Sequence, residues 1–211
     1  MNPDEERLVG RARRGEPAAF REIVESFQGR ILRTVAGITG DREEARDLTQ
    51  EAFLKAFEAL DAFKGGSSLH TWLYRIAVNL CIDQLRGRRK RPLLFDLYDP
   101  ACEESPAHER MPDSGVEDPL ENTLRREKAV AIQGALDQLS PDHRAIIILR
   151  EVEGLSYEEI ASVLGIGLGT VMSRLYYARA HLRDALASYV REGEGSDEET
   201  IRVLQPVPKK A

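Results

Sequence analysis

The sequence predicts an all-α protein built from two small helical domains, and two observations support this fold class. Apolar residues recur at three- and four-residue spacing along most of the chain, whereas the strict alternation typical of β-strands is absent. Capping residues, glycines and prolines interrupt this pattern at the intervals expected for helices. Because only 6% of the 211 residues are aromatic, we expect two modest cores made mainly of Leu, Ile, Val and Ala.

The predicted N-terminal domain, residues 1–91, contains three helices. The first has an apolar face formed by Phe20, Ile23, Val24, Phe27, Ile31 and Val35. It ends at Gly40, and Asp41 then caps a second helix that runs to about Phe63. The apolar face of this second helix is predicted to consist of Ala45, Leu48, Ala52, Phe57 and Leu60. A third helix is predicted to begin near Leu69 and to end with a basic run before Pro92.

Residues 92–118 are predicted to be an acidic, proline-rich linker. The stretch 92–123 contains five prolines, nine acidic residues and one base, and it has no apolar periodicity. Such a chain can mimic a nucleic-acid strand, or it can serve only as a disordered spacer, and the sequence leaves both interpretations open. Helical pattern returns at Asp118-Pro119.

The C-terminal domain is predicted to span residues 119–187, and residues 188–211 are expected to form a mobile tail. Its helix starts are marked by Ser140-Pro141, the capping box Ser156–Glu159 and Gly169-Thr170. The segment 155–182 has the pattern of a helix-turn-helix, with Gly165 at the turn. Its second helix is suited to the major groove, where side chains reach base edges. A helical hairpin packed only for stability is the alternative interpretation.

The charge distribution favours a nucleic-acid partner despite a net charge of -6. Residues 64–91 contain seven Lys or Arg residues and a single acid, Asp83. The basic run 86–91 is either a phosphate-binding patch or a solvated helix end that the helix dipole favours.

Patterns of enzymes and membrane proteins are missing. The sequence has no Gly-rich phosphate loop and no Cys/His cluster, and Cys81 and Cys102 fit no metal-site spacing. No run approaches the roughly 18 apolar residues of a membrane helix, and the acidic N-terminus is unlike a secretory signal. We therefore expect a cytoplasmic protein that is not an enzyme, needs no cofactor and does not insert into a membrane.

Three stretches resemble bacterial sigma factors of the extracytoplasmic-function type. Residues 47–57 (DLTQEAFLKAF) resemble the polymerase-binding helix, and residues 63–79 (FKGGSSLHTWLYRIAVN) resemble the promoter-opening loop and helix. Residues 139–179 resemble the domain that reads the upstream promoter element. The resemblance implies a sigma-2-like domain and a sigma-4-like domain. It also implies a transcription initiation factor that binds core RNA polymerase and promoter DNA, and an anti-sigma factor as a further partner.

The resemblance assigns candidate residues to three surfaces. The expected polymerase-binding residues are Asp47, Gln50, Glu51 and Phe53, with Phe53 as an aromatic anchor. The residues expected at the downstream promoter element are Lys64, Ser67, Ser68, Trp72, Tyr74, Arg75, Asn79, Arg86, Arg88 and Arg89. The residues expected at the upstream promoter element are Thr170, Met172, Ser173, Arg174, Tyr176, Tyr177 and Arg179.

Individual roles follow from side-chain chemistry. Asn79 supplies an amide that can read one base edge, and Trp72 and Tyr74 supply rings for an unpaired base. The only Trp of a small domain is also a natural core residue, so Trp72 has a structural alternative. Tyr176 is expected either to touch DNA or to pack inward.

The recognition helix departs from the family pattern at two positions. Basic residues are common where this chain has Met172 and Tyr177, and proline is common in place of Gly167. Two cationic contacts are therefore expected to be missing. Since each phosphate contact contributes about 0.9 to the log–log salt slope, upstream binding should be less salt-sensitive than in typical relatives.

Two other function classes compete with this interpretation. A stand-alone helix-turn-helix regulator would need a ligand-binding or phosphoacceptor domain, and residues 1–91 contain no βαβ pattern. A helical adaptor or anti-factor would need no base-reading residues.

Overall fold

The computed structural model describes the backbone of residues 3–90 and 119–192, and the side chains of 4–88 and 127–187. Within these ranges the fold is all-α, as predicted. The helices are α1 (Pro3–Arg13), α2 (Pro17–Thr39), α3 (Arg42–Glu58), α4 (Leu69–Lys90), α5 (Pro119–Asp137), α6 (Pro141–Ile147), α7 (Tyr157–Leu164) and α8 (Leu168–Glu192). No single helix among them is long and apolar enough to cross a membrane; only α7 and α8 together, bent by 100°, meet that test of length and composition.

Local chemistry explains where the N-terminal helices begin and end. Pro17 occupies the first turn of α2, and Gly40 ends that helix in the left-handed conformation, with φ of 78°. Asp41 then accepts a hydrogen bond of 2.9 Å from the backbone N–H of Glu44, which caps α3. α1 is a separate helix that the apolar pattern did not predict. α3 ends earlier than predicted, at Glu58, and a short 3-10 turn, Leu60–Ala62, follows it.

The N-terminal core lies between α2, α3 and α4. Its fully buried side chains include Ile23, Ile31, Ile38, Leu69 and Tyr74. Helical spacing on each segment brings these residues to one side, so burial of that face drives the packing.

The C-terminal helices also start at predicted caps. The Ser140 hydroxyl accepts from the backbone N–H of His143, and Ser156 and Glu159 form a reciprocal capping box at α7. A π-helical turn, Ile148–Val152, follows α6 and was not predicted. α8 begins at Leu168 and reaches Glu192. Residues 188–192 are therefore helical rather than tail, and the tail from residue 193 onward lies outside the described residues, as does the linker.

The two domains pack against each other. α4 lies against α6 and α7, and α2 contacts α6 and the π-helical turn. The backbone of Gly37 approaches Ile148 so closely that a Cβ added at Gly37 would lie 3.1 Å from its Cδ1 atom. Buried apolar residues of both domains therefore form one continuous cluster.

Candidate polymerase and promoter DNA interfaces

The exposed face of α3 carries most of the residues predicted to bind polymerase. Asp47, Gln50 and Glu51 all point to solvent, and Glu51 forms an i,i+4 ion pair of 2.9 Å with Lys55. The sequence had suggested Phe53 as the anchor, and this is wrong because Phe53 is only 8% exposed and belongs to the core.

Two apolar side chains replace Phe53 on that face. Leu54 is 65% exposed and Phe57 is 57% exposed, although Phe57 had been predicted to face inward. Phe57 rests on the ring of Phe20, edge to face, with centroids 5.0 Å apart. Their spacing from Asp47 could have identified them, because positions seven and ten residues later fall on the same side of a helix. We call Asp47, Gln50, Glu51, Leu54 and Phe57 the α3 stripe.

The loop before α4 positions the start of that helix. The Ser68 hydroxyl accepts a hydrogen bond of 3.0 Å from the backbone N–H of Thr71, so Ser68 acts as the cap of α4. Lys64 is exposed and Ser67 is half-buried. Trp72 packs on Phe63 with ring centroids 4.8 Å apart but keeps part of its surface exposed. It therefore serves the core and still offers an edge to solvent.

Asn79 and Tyr74 differ sharply in exposure. Asn79 is exposed, two helical turns after Trp72 and on the same side of α4. Tyr74 is completely buried, and its hydroxyl donates a 2.6 Å hydrogen bond to Glu153 in the C-terminal domain. Burial raises the pKa of Tyr74 strongly, and the hydrogen bond with Glu153 adds to this. The predicted role of Tyr74 as a stacking surface is thus wrong for this conformation.

The basic residues of α4 are engaged within the protein. Arg75 donates to the Ser162 hydroxyl at 2.7 Å, and one nitrogen of Arg86 lies 2.8 Å from each carboxylate oxygen of Asp142. Arg88 forms an ion pair of 2.9 Å with Glu44. The side chain of Arg89 lies outside the described residues.

The helix-turn-helix predicted for the C-terminal domain is present. Gly165 adopts a left-handed conformation with φ of 64° at the end of α7, and α8 leaves the turn at 100° to α7. This angle lies in the range of DNA-binding helix pairs. Ile160 on α7 and Val171 and Leu175 on α8 are buried and hold the two helices together.

The outer face of α8 is rich in aromatic and polar groups. Thr170 and Ser173 are exposed, as are Met172, Tyr176 and Tyr177. The two tyrosine rings meet edge to face, with centroids 5.5 Å apart. Tyr176 therefore does not pack inward, and both rings remain available to a partner.

The two arginines predicted to contact upstream DNA are held in ion pairs. Arg179 is only 11% exposed in its side chain and lies 2.6 Å from Glu151, so it is not the free phosphate contact that was predicted. Arg174 lies 2.9 Å from Asp142. Burial raises the pKa of Asp142, but the hydrogen bond from Arg86 and the charge of Arg174 outweigh it, and the pKa falls below its usual range.

Asp142 and Glu153 are the functional candidates that sequence reasoning missed. Asp142 had the appearance of an ordinary acidic residue in a first helical turn, and its partner Arg86 is 56 positions away. Nothing local indicates such a pairing. Among the described side chains, no group of three or more His, Cys, Asp or Glu residues is arranged to hold a metal ion.

Comparisons with known proteins agree with the two halves of this architecture. Residues 23–91 match the family described as Sigma-70 region 2, and residues 129–182 match the family described as Sigma-70, region 4. The sigma factor RpoE of Bartonella quintana, solved in complex with the anti-sigma factor NepR, is 27% identical with a TM-score of 0.60. That alignment covers 80% of this chain and 96% of the other. CnrH in complex with the cytosolic domain of CnrY is 23% identical, with a TM-score of 0.61, and shares the fold.

Curated relatives cover nearly the same length. The RNA polymerase sigma-H factor of Pseudomonas aeruginosa is 39% identical over 188 residues, which is 89% of this chain and 96% of that protein. The ECF RNA polymerase sigma-E factor of Escherichia coli K12 is 34% identical over 184 residues, with 87% and 95% covered. The chain therefore belongs to the extracytoplasmic-function family of RNA polymerase sigma factors, and it is a transcription initiation factor that directs promoter recognition together with RNA polymerase.

Proposed function

We propose that this sigma factor uses three separate surfaces for initiation. The α3 stripe binds core polymerase, the start and outer face of α4 capture melted DNA, and α8 reads the upstream element. The observation that carries the proposal is a solvent-facing recognition helix on the same chain as an exposed apolar stripe, in domains that match two sigma regions. The factor has no catalytic activity of its own and acts in the cytoplasm, where the polymerase works.

The α3 stripe is suited to a protein partner. Leu54 and Phe57 place exposed apolar surface beside the polar groups of Asp47 and Gln50. Exposed apolar side chains flanked by polar ones are typical of the centre of protein interfaces. The partner surface is the coiled-coil clamp of core polymerase.

Promoter opening falls to the N-terminal part of α4. Asn79 reads the edge of one unpaired base, and the exposed part of Trp72 offers a stacking surface on the same side of the helix. Lys64 and the arginines of α4 hold the DNA backbone.

Upstream recognition depends on α8. Thr170 and Ser173 offer polar contacts, Arg174 is able to read guanine, and Met172, Tyr176 and Tyr177 offer apolar contact with sugars or thymine methyl groups. Fewer cations than usual face the DNA, so sequence-dependent shape contributes much of the upstream preference.

An anti-sigma factor is a further partner under this proposal. The Bartonella quintana sigma factor of similar structure was solved with such a protein bound. Its binding here would sequester the same surfaces, and the linker between the domains would pass through the polymerase as an acidic strand.

The test is reconstitution with sigma-free core polymerase and a library of promoter fragments. Specific runoff transcripts are expected with the wild-type protein, and fewer with Asp47→Ala/Gln50→Ala, whose helical circular-dichroism signal should be unchanged. The matched control is Glu158→Gln, an exposed acid on α7. Duplex binding by the free protein without any transcript would support a stand-alone regulator instead. Unchanged core affinity in the double variant would remove the α3 stripe from the proposal.

A further inference from the structure

The contact between the two domains uses residues that the proposed function needs for DNA. Arg75 and Arg86 of α4 are both bonded to residues of the C-terminal domain, Ser162 and Asp142 respectively. Neither arginine can keep these partners and also hold a phosphate in the same geometry. The domain contact and the DNA contacts are therefore mutually exclusive at these two positions.

Asp142 links the two DNA-binding surfaces. Its carboxylate lies 2.8 Å from Arg86 of α4 and 2.9 Å from Arg174 of the recognition helix. A carboxylate offers two anionic oxygens to an arginine, much as a phosphate does. A single acid thus occupies one downstream and one upstream DNA-binding arginine at the same time.

A second polar link closes the interior of the contact. Glu153 follows the π-helical turn and accepts hydrogen bonds of 2.6 Å from both Tyr74 and Thr34. Arg144 donates at 2.9 Å to the carbonyl oxygen of Gly37. These groups are buried or nearly so, and they specify a single docking geometry rather than a loose encounter.

The apolar fit points the same way. Ile148 sits directly over Gly37, where there is no room for a larger residue without movement. Gly40 is similarly close to Arg144, because an added Cβ would lie 2.9 Å from its terminal nitrogen. α2 therefore presents a glycine-smooth surface to the C-terminal domain at the position where that domain docks.

We propose that the free sigma factor is autoinhibited: its C-terminal domain closes onto α2 and α4, Asp142 serves as the latch, and core polymerase must separate the domains. This inference rests on the proposed function, because the masked arginines are those assigned to promoter DNA. If the open state is 1–10% populated, closure weakens DNA binding by the free protein about 10- to 100-fold.

The test opens the closed form in two independent ways that alter no proposed DNA-binding residue. Gly37→Leu drives a wedge under Ile148, and Asp142→Asn removes the latch charge. The matched controls are Gly29→Leu, on the exposed side of the same helix, and Glu158→Gln. Circular dichroism reports whether each full-length variant is folded.

Fluorescence anisotropy measures binding of each free protein to a labelled 30-base-pair duplex that contains a six-base mismatched bubble. Both opening variants are expected to bind about 10- to 100-fold more tightly than wild type. They should also show a salt slope steeper by about 2, since two arginines are released. Small-angle scattering should give a larger radius of gyration for the opening variants than for the controls.

Runoff transcription with core polymerase separates this inference from the proposed function. Wild type and Gly37→Leu should both give transcripts, because the polymerase already holds the domains apart. Transcription without any change in free DNA binding or radius in either folded opening variant would overturn autoinhibition and leave the function intact. Absence of transcripts with wild type would overturn the function itself.

Discussion

Phe53 and Leu54 are neighbours on α3 with opposite environments, and the proposed function assigns them opposite roles. Phe53 is almost fully buried, whereas Leu54 is 65% exposed. Replacing Phe53 with Ala should lower the free energy of unfolding by about 3–5 kcal/mol, because it leaves a cavity in the core. Leu54→Ala should change that free energy by less than about 0.5 kcal/mol and weaken binding to core polymerase.

Urea unfolding and titration with labelled core polymerase measure the two effects. Asp83→Ala, at an exposed position of α4, is the control for both. The assignment of the α3 stripe would be contradicted if Leu54→Ala kept full core affinity.

Cys81 is a buried thiol in the N-terminal core. Burial raises its pKa to about 12, and the nearby Glu44 adds to the shift. Because the unfolded thiol ionises near its ordinary value of 9.0, stability from this group is complete below pH 9 and is lost as pH rises toward 12. In a Cys102→Ser variant at pH 8, we expect reaction with a thiol reagent only after unfolding. Rapid labelling of the folded variant would show that the core around α4 opens readily.

Asn79 tests base reading at the level of one side chain. Its amide is exposed on the side of α4 that also carries Trp72. Asn79→Ala should cost about 1–3 kcal/mol for the preferred base at one downstream position and little elsewhere. Transcription from promoters randomised in the downstream element measures this preference, and Asn79→Asp serves to separate the amide from side-chain size. An equal loss for every sequence would make Asn79 a structural residue.

At the scale of single elements, the recognition helix α8 makes its own prediction. Met172 and Tyr177 are both exposed on its outer face. Replacing either with Arg should strengthen binding of the polymerase complex to promoter DNA and steepen the log–log salt slope by about 0.9. Titrations at several salt concentrations test this, with Asp184→Asn as the control for a simple change in net charge. If both arginines left affinity and slope unchanged, α8 would not present this face to DNA.

Helix positions followed closely from local sequence, since caps and glycines act within a few residues. Asp41, Ser140 and Ser156 each mark a helix start that the structure contains. α1 was missed because its eleven residues are mostly polar and bury little apolar surface. The π-helical turn after α6 was missed because no local composition distinguishes it from ordinary helix.

Side-chain environments were harder to predict than helices. Phe53 and Phe57 exchanged their predicted positions, because a small error in the phase of the apolar face moves a residue between core and solvent. Tyr74 was assigned to DNA although it is buried against Glu153, a residue 79 positions away. Pairings over such distances depend on how the domains dock, and periodicity within one helix carries no information about docking.

At the scale of the whole molecule, the two sigma domains form one apolar cluster while carrying their functional surfaces in different directions. The α3 stripe stays exposed in this arrangement, whereas Arg75 and Arg86 are occupied by the other domain. The chain can therefore meet core polymerase before it engages DNA. This order of events suits an initiation factor, because promoter binding is then coupled to polymerase binding.

Promoter opening by the assembled complex tests the central claim most directly. A promoter selected by runoff transcription carries 2-aminopurine in its downstream element, and its fluorescence rises when that base leaves the duplex stack. We predict a rise with core polymerase plus this sigma factor, and none with either protein alone. The rise should fall with Asn79→Ala and with Asp47→Ala/Gln50→Ala. A rise with core polymerase alone, or no rise with the complete complex, would contradict the account.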